Sequence, residues 1–365
     1  MDKGILRFAP LLAAAGLSFL SDCSGAGGPC DPEGTRLARV SYPVRDLAVS
    51  DRWVYWLDPE RVTDSSVRGV LMRVPAEGGA AQRLAASDAP EALLRNHLVV
   101  SGGTAFWLDP CPTPAPTCAR IVSVPVAGGT PTVLVQGRVF AFAVHGDDLF
   151  FTLSDEWGLQ EGAPDGEVRR MPATGGASVV LRSGLTHLRE VLADDDRVYW
   201  SVATSGDDAG RRAYVQAMSR ADGTVSTLLD NGGAGGARPG YLALSGGYLY
   251  FVAWGRVHRV PAAGGAVEDL GDPQARSIAD LAVQGGTLLL ADWGEWVGTT
   301  DDDPGTYQCG AILGMVPGTG VARVLAGGQE QPTAVAAAPG WVYWVTEGYA
   351  DWHDGGIYRM PLPPM

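Results

Sequence analysis

Two segments near the carboxyl end of the chain carry side chains suited to ligand binding. Both combine tryptophan with carboxylates, and the residues are Trp293, Trp296, Asp301, Asp302 and Asp303 in the first and Asp351, Trp352, His353 and Asp354 in the second. Indole rings stack on apolar ligand faces, while carboxylates accept hydrogen bonds or coordinate cations. These residue types together predict a site for a sugar, a cation or a calcium-bridged ligand.

A third tryptophan in acidic surroundings, Trp157, follows Asp155 and Glu156. A structural alternative stays open for all three segments, because tryptophans also fill gaps between packed elements and surface acids keep a protein soluble. The run from Asp301 to Asp303 lacks the alternating spacing of a dedicated calcium loop. No cofactor is therefore predicted, and calcium is left as the alternative.

The common catalytic motifs are missing from the sequence. Its histidines are scattered and form no H-E-x-x-H pair; they are His97, His145, His187, His258 and His353. There is no G-x-S-x-G nucleophile turn and no phosphate-binding loop between a strand and a helix. Lys3 is the single lysine, so a lysine nucleophile is excluded from any mature chain that begins after it. These observations favour a non-catalytic binding function, and the alternative is a carbohydrate-active hydrolase or lyase that uses paired carboxylates.

The segments that must position these residues belong to a unit that repeats seven times. The end of each repeat reads Val-Pro-x-x-Gly-Gly or a variant of it, beginning at Val74, Val124, Met171, Met218, Val260, Val316 and Met360. Each repeat also contains an apolar, mostly aromatic run, and these runs begin at Val54, Ala105, Leu149, Val198, Leu249, Leu288 and Val342. A period of about 47 residues with strand-sized apolar runs is typical of a β-propeller. The sequence therefore predicts an all-β, seven-bladed propeller of four-stranded antiparallel blades.

Closure of the ring is predicted from the two ends of the repeated region. The last repeat stops before a fourth strand, and residues 35–40 resemble residues 82–85, which lie in the fourth strand of the first repeat. We expect residues 35–40 to supply the outer strand of the seventh blade, because an unclosed ring leaves an edge strand open to pairing. One propeller domain is predicted over residues 35–363.

Such a ring has two unequal faces. Because the strands of a blade alternate in direction, the turns between the first and second strands and between the third and fourth strands share one face. These turns are short and glycine-rich. The loops between the second and third strands, and the connections between blades, lie on the other, which we call the long-loop face. We expect a protein or glycan ligand to bind there, beside the acidic loops of the sixth, seventh and first blades. The fifth blade has almost no such loop, because Ala253-Trp254-Gly255 leads directly into its third strand, and this predicts a notch in the wall.

The first residues of the chain predict export. Residues 1–22 resemble a secretion signal, and their apolar run is too short to span a bilayer. Leu20 to Cys23 resembles a bacterial lipobox, which implies a lipid on Cys23 and a flexible tether over residues 23–34. Asp22 departs from the small residue of that motif, and cleavage near Ala26 is the alternative. The predicted location is the bacterial cell envelope or the extracellular space, with membrane contact only through the N-terminal lipid.

The cysteine count agrees with export. Besides Cys23, four cysteines remain, and an even number in an exported chain predicts disulfides. Cys111 and Cys118 bound a short proline-rich loop and are expected to pair. Cys30 and Cys309 are then left to each other, although the predicted blades start them near opposite faces.

Charge excludes one class of partner. The formal net charge is −14, and nucleic-acid binding needs a basic surface, so no nucleic acid is expected as a ligand.

The aromatic runs also resemble a known repeat. Val54 to Asp58 and Phe106 to Asp109 resemble the YWTD-type repeat of lipoprotein-receptor ectodomains, and the chain is similar to exported bacterial propeller proteins of unknown role. The resemblance covers residues 35–363 and implies the propeller fold. Seven units replace the six of the receptor family, and the motif aspartate is found only at Asp58 and Asp109. Receptor-type ligand binding is therefore not implied.

Overall fold

The computed structural model describes residues 31–41, 44, 46–63, 66–87, 97–111, 118–153, 166–203, 213–230, 239–275, 277–294, 296–297, 306–307, 309–347 and 355–364. Within these ranges every regular element is a strand, and the strands form seven four-stranded antiparallel sheets and one small hairpin. The described residues contain no helix long and apolar enough to cross a membrane.

The first three sheets follow the chain in order. Blade 1 is β2 (Leu47–Ser50), β3 (Trp53–Thr63), β4 (Ser66–Pro75) and β5 (Gln82–Ala86). Blade 2 is β6 (Leu98–Ser101), β7 (Thr104–Pro110), β8 (Ala119–Pro125) and β9 (Thr132–Gly137). Blade 3 is β10 (Val139–His145), β11 (Asp148–Leu153), β12 (Gly166–Pro172) and β13 (Val179–Leu185).

The next three sheets repeat this order. Blade 4 is β14 (Leu188–Ala193), β15 (Arg197–Ala203), β16 (Ala213–Ser219) and β17 (Val225–Asp230). Blade 5 is β18 (Gly240–Ser245), β19 (Tyr248–Ala253), β20 (Arg256–Pro261) and β21 (Glu268–Gly271). Blade 6 is β22 (Ile278–Gln284), β23 (Thr287–Asp292), β26 (Gly310–Met315) and β27 (Ala322–Gln329), with the hairpin β24 (Trp296–Val297) and β25 (Thr306–Tyr307) between its second and third strands.

Blade 7 joins the two ends of the chain. Its strands are β28 (Pro332–Ala338), β29 (Trp341–Thr346), β30 (Gly355–Pro361) and β1 (Thr35–Val40), in the order β1-β30-β29-β28. Val40 pairs with Gly355 and Thr35 with Arg359, which confirms that the N-terminal strand completes the last blade.

Seven buried apolar clusters lie between neighbouring blades, and together they close the ring. One cluster packs Leu47, Val54 and Trp56 of blade 1 against Tyr343 and Val345 of blade 7. The other six link blades 1–2, 2–3, 3–4, 4–5, 5–6 and 6–7. The second strand of each blade supplies the largest side chains, which explains the aromatic runs. Fully burying one such side chain stabilises the fold by roughly 1.5–3 kcal/mol.

One predicted loop proves to be regular structure. The loop expected after Asp58 in blade 1 is a continuation of the β3–β4 ladder, with Asp58 opposite Val70 and Glu60 opposite Arg68. Arg68 and Arg83 both bind the Glu60 carboxylate, at 2.6 and 2.7 Å. Blade 1 therefore presents a hairpin on the long-loop face.

Two cysteine predictions have different outcomes. Cys111 and Cys118 form a disulfide with their Cα atoms 5.5 Å apart, as predicted. Cys309 is disulfide-bonded, but its partner lies outside the described residues, so the pairing with Cys30 stays a prediction.

Candidate functional site

The innermost strands of the blades share one position that faces the central channel. In each strand it directly precedes an apolar residue that packs at the centre of the second strand's apolar run, as Leu47 does opposite Trp56 and Leu281 opposite Leu290. The seven occupants are Asp46, His97, Ala141, Glu190, Tyr241, Asp280 and Ala334. We call these residues the mouth ring. Five of the seven are polar, and three of those are carboxylic acids.

The mouth ring lies at the long-loop end of the channel. Each innermost strand begins where the connection from the preceding blade arrives, and the ring residues stand at or beside these strand starts. The turn from the first to the second strand is at the other end, at Asp51-Arg52 in blade 1. The ring therefore opens toward the face that the sequence predicts for ligand binding.

Each carboxylate of the ring clamps its own blade to the next one. Asp46 accepts the backbone N–H of Leu47 at 2.7 Å and that of Leu98, in blade 2, at 2.8 Å. Glu190 accepts the N–H groups of Tyr241 and Leu242, in blade 5, at 2.6 and 2.7 Å.

Asp280 makes the same clamp between blades 6 and 7. It accepts the N–H groups of Leu281 and Val335, at 2.8 and 2.9 Å. Every oxygen of the three ring carboxylates thus has one backbone donor, and each keeps a lone pair for another partner because a carboxylate offers about four acceptor sites.

The surroundings of the ring raise the pKa of all three acids. Burial raises the pKa of Asp46 to about 7, against the opposing effect of its two backbone donors. Burial raises the pKa of Asp280 to about 7, and repulsion from the Asp46 and Glu190 carboxylates adds to it. Burial likewise raises the pKa of Glu190. The Asp46 side chain nevertheless keeps 21% of its surface exposed, which agrees with a position at the channel.

His97 and Tyr241 complete the polar part of the ring. The Nε2–H of His97 donates to the carbonyl oxygen of Phe142 in blade 3, at 2.7 Å, and Nδ1 lies 3.5 Å from Asp46 Oδ2. Burial lowers the pKa of His97. Burial, with the nearby Asp280 and Glu190 carboxylates, raises the pKa of Tyr241 to about 12, so its hydroxyl stays protonated and can donate. The ring therefore offers both donors and acceptors to a ligand.

Most of the site residues predicted from sequence fall outside the described part of the chain. These are Trp157, Asp301, Asp302, Asp303, Asp351, Trp352, His353 and Asp354. Trp296 is described in its backbone, which pairs with Tyr307 in the small hairpin of blade 6. Trp293 is partly buried, and its backbone N–H donates to Ser277 at 2.9 Å. Binding by these residues stays a prediction.

The aspartates of the repeat motif have a structural role. Asp58 accepts the indole N–H of Trp56 and the backbone N–H of Ser41, at 3.1 and 3.2 Å. Asp109 accepts the hydroxyl of Ser87 and forms a buried ion pair with Arg120. Both therefore hold a connection between blades.

The structure adds a third aspartate of this kind in blade 6. Asp292 occupies the equivalent position and accepts the N–H of Ser277 at 2.8 Å. The motif was hidden there because Leu288, Leu289 and Leu290 replace the aromatic residues that mark it elsewhere.

Sequence reasoning missed the mouth ring, although a signal for it is present. Its members are about one blade apart in the chain, so no local motif contains two of them. Aligning the repeats on their first strands places Asp46, Glu190 and Asp280 in one column, in front of an apolar residue. That column was the available signal.

Among the described residues, no group of three or more histidine, cysteine, aspartate or glutamate side chains has the geometry to hold a metal ion. The fold and the mouth ring together define a seven-bladed β-propeller with an acidic channel mouth.

Comparisons with known proteins add to this description at the level of fold. No protein-family model matches the chain, and no curated protein matches it. The β-propeller domain of the Trilobed protease from Pyrococcus furiosus is similar, with a TM-score of 0.61, 8% identity and coverage of 89% of this chain and 98% of that one. An oligogalacturonate lyase in complex with manganese has a TM-score of 0.61 and 11% identity, with coverage of 92% and 97%. A chain of a nidogen/laminin complex has a TM-score of 0.48 and 16% identity, with coverage of 77% and 92%.

Proposed function

We propose that this protein is an exported binding module that holds its ligand at the mouth ring, on the long-loop face. One observation carries the proposal. Five of seven innermost strands place a polar side chain at the same channel-facing position, and the oxygens of the three acids keep acceptor capacity beyond their bonds to the backbone. The acceptors are Asp46, Glu190, Asp280 and the Nδ1 atom of His97, and the donor is the hydroxyl of Tyr241.

The chemistry of the ring limits its ligand. Three acids with raised pKa values repel further negative charge and accept hydrogen bonds from hydroxyl or amino groups. A glycan or a protein segment that carries such donors fits, whereas a nucleic acid brings phosphates that the ring repels.

A binding array tests the proposal. Wild-type protein and the Asp280→Asn variant are compared at pH 7 on immobilised glycans and peptides. We expect a bound probe whose signal falls at least tenfold with Asp280→Asn and does not change with Asp51→Asn, which removes an exposed carboxylate on the opposite face.

Tyr241→Phe, which keeps the ring and removes the hydroxyl, serves as a second variant if Asp280→Asn does not fold. Circular dichroism and thermal unfolding establish the fold of each variant. A bound probe that responds to neither Asp280→Asn nor Tyr241→Phe contradicts binding at the mouth ring.

A second function is favoured by the raised pKa values. Glycoside cleavage needs a carboxylic acid that is protonated near neutral pH beside a second carboxylate. Asp46 and Asp280 both have a pKa raised to about 7, mainly by burial, and their charges interact. The alternative proposal is therefore a carbohydrate-active hydrolase or lyase with these two acids at its centre.

Turnover separates the two functions. The enzyme proposal predicts release of reducing ends or unsaturated products from a panel of polysaccharides, and a loss of at least a hundredfold in kcat with Asp46→Asn or Asp280→Asn. Binding without turnover in the same panel contradicts the enzyme and supports the binding module.

Export is part of the proposal, and the disulfides support it. Cys111 is bonded to Cys118, and Cys309 is bonded as well, which suits an oxidising compartment rather than a reducing one.

A further inference from the structure

Two exposed aromatic side chains stand out in blade 5. Among the residues whose side chains the structure describes, Tyr241 and Trp254 are the most exposed aromatic residues, at 36% and 48%. Tyr241 belongs to the mouth ring, and Trp254 lies in the turn between β19 and β20 on the long-loop face. Exposed aromatic rings in a fold that buries its other described aromatics more deeply need a reason.

Both residues have a backbone conformation that bulky side chains disfavour. Tyr241 has φ +56° and Trp254 has φ +53°, in the left-handed region that bulky residues rarely adopt. Trp254 and Gly255 form a two-residue hairpin turn in which both residues have positive φ, and such turns strongly prefer Asn-Gly. A tryptophan is therefore a poor choice for the turn itself.

Packing accounts for only part of Trp254. Its ring lies edge-on to His258, with centroids 5.8 Å apart, and His258 in turn stacks on Phe251. Nearly half of the indole remains in solvent, so the contact with the core positions the ring without covering it. Strained, exposed residues of this kind are concentrated at binding sites.

The geometry of blade 5 connects the two rings. Gly240 pairs with Val252, so Trp254 stands about 10 Å beyond Tyr241 along the strands, given a rise of about 3.3 Å per residue. In blade 5 the second and third strands are joined by the two-residue turn Trp254-Gly255, because Ala253 already pairs with Arg256, whereas the ladder of blade 1 continues as far as Thr63 and Ser66. A ligand can thus leave the channel mouth over blade 5 without meeting a loop of that blade.

Carboxylates flank the inner end of this path. Glu190 accepts the backbone N–H of Tyr241 itself, and the Asp280 charge acts on the Tyr241 hydroxyl. Their unused lone pairs suit hydroxyl donors, while the aromatic faces suit the C–H faces of sugar rings.

We propose that a neutral oligosaccharide binds across blade 5, with sugar faces on Tyr241 and Trp254 and hydroxyl groups on Glu190 and Asp280. This inference rests on the proposed function and deepens it by naming the ligand class. A chain of several sugars is required, because one sugar ring cannot reach both aromatic residues.

Titration calorimetry with defined oligosaccharides tests the inference. The probes are cellotetraose and fully N-acetylated chitotetraose, which are neutral, and tetragalacturonate, which is anionic. We expect wild type to bind at least one neutral probe and to bind tetragalacturonate at least tenfold more weakly. Trp254→Gly should weaken neutral binding at least tenfold and leave the melting temperature unchanged or higher, since glycine relieves the positive φ. Trp254→Tyr should retain most of the binding.

Asp51→Gly is the matched control, because it relieves the same backbone strain at φ +53° in a turn on the opposite face. It should leave binding unchanged. Preference for tetragalacturonate, or neutral binding that survives Trp254→Gly, overturns the inference. Absence of oligosaccharide binding, together with an array ligand that responds to Asp280→Asn, overturns the ligand class and leaves the mouth-ring proposal intact.

Discussion

At the scale of single residues, the mouth ring combines a structural and a chemical role. Its carboxylates pin neighbouring blades together through backbone N–H groups, and the same burial raises their pKa values. A group that is stabilised as a hydrogen-bond acceptor but destabilised as a charge is sensitive to pH. The ring should therefore respond to protons as well as to ligands.

The pH dependence of stability follows from the sign of these shifts. The pKa of Asp280 is about 7 in the folded protein and about 3.9 in an unfolded chain. Between these values the folded state binds more protons than the unfolded state. The contribution of Asp280 to the free energy of unfolding therefore falls as pH rises toward 8. Relative to Asp280→Asn, wild type should lose about 1–2 kcal/mol in the free energy of unfolding between pH 5 and 8, a value reduced for partial exposure to solvent.

Urea unfolding at four pH values measures this difference. Asn at position 280 keeps one acceptor and loses the other, so the variant should be less stable than wild type at pH 5. The difference in free energy of unfolding between the two proteins, which we call the gap, should narrow as pH rises. Asp51→Asn controls for the loss of one exposed charge. A gap that is constant or widens with pH contradicts the raised pKa.

At the scale of elements, the N-terminal strand is the part on which the ring depends. β1 pairs along β30, and the segment before it continues onto blade 6, where Glu33 binds the backbone of Gly327 and Gln329 donates to the Glu33 carbonyl at 3.0 Å. Gly34 passes so close to Trp344 that an added Cβ would lie 2.5 Å from the indole. The N-terminal segment is thus held by blade 7, through β1, and by blade 6, through Glu33. We call this place, where residues 31–40 meet blades 6 and 7, the joint.

Removal of this strand should open the ring. A chain that begins at Ser41 lacks β1 and exposes the edge of β30, whereas a chain that begins at Asp31 keeps both β1 and the contacts of Glu33. Both chains lack Cys30, so a disulfide cannot account for a difference between them. We expect the Ser41 chain to melt at least 10 °C lower in differential scanning calorimetry and to aggregate through its open edge. Equal melting temperatures would show that β1 does not close the ring.

At the scale of the whole molecule, the same joint revises one expectation about the cysteines. The sequence predicts that Cys30 and Cys309 start near opposite faces. The structure instead places residues 31–33 beside residues 327–329 of blade 6, and Gln329 is the strand partner of Gly310, which follows Cys309. The chain therefore approaches Cys309 just where the described residues begin.

The mass of the mature protein tests this arrangement. We expect four cysteines in two disulfides, and a non-reduced proteolytic digest should contain one peptide pair joined through Cys30 and Cys309. Cys111→Ser with Cys118→Ser is the control, because it removes the local bridge and should leave that peptide pair intact. The same intact mass reports the cleavage point and any lipid on Cys23. A free thiol at Cys309 would contradict the pairing.

The repeat determined the architecture without any tertiary information, because each blade carries its own aromatic strand, turn glycines and strand-ending proline. Closure by residues 35–40 was also readable, since a missing strand at one end matched a surplus strand at the other. The candidate site could not be predicted from the sequence in this way. Asp46, Glu190 and Asp280 lie far apart in the chain and meet only because the ring brings equivalent positions of different blades around one channel. Burial in the assembled ring raises the pKa of all three, and repulsion from Asp46 and Glu190 adds to the shift of Asp280. The strain at Trp254 depends on a turn whose length is set by the pairing of β19 with β20.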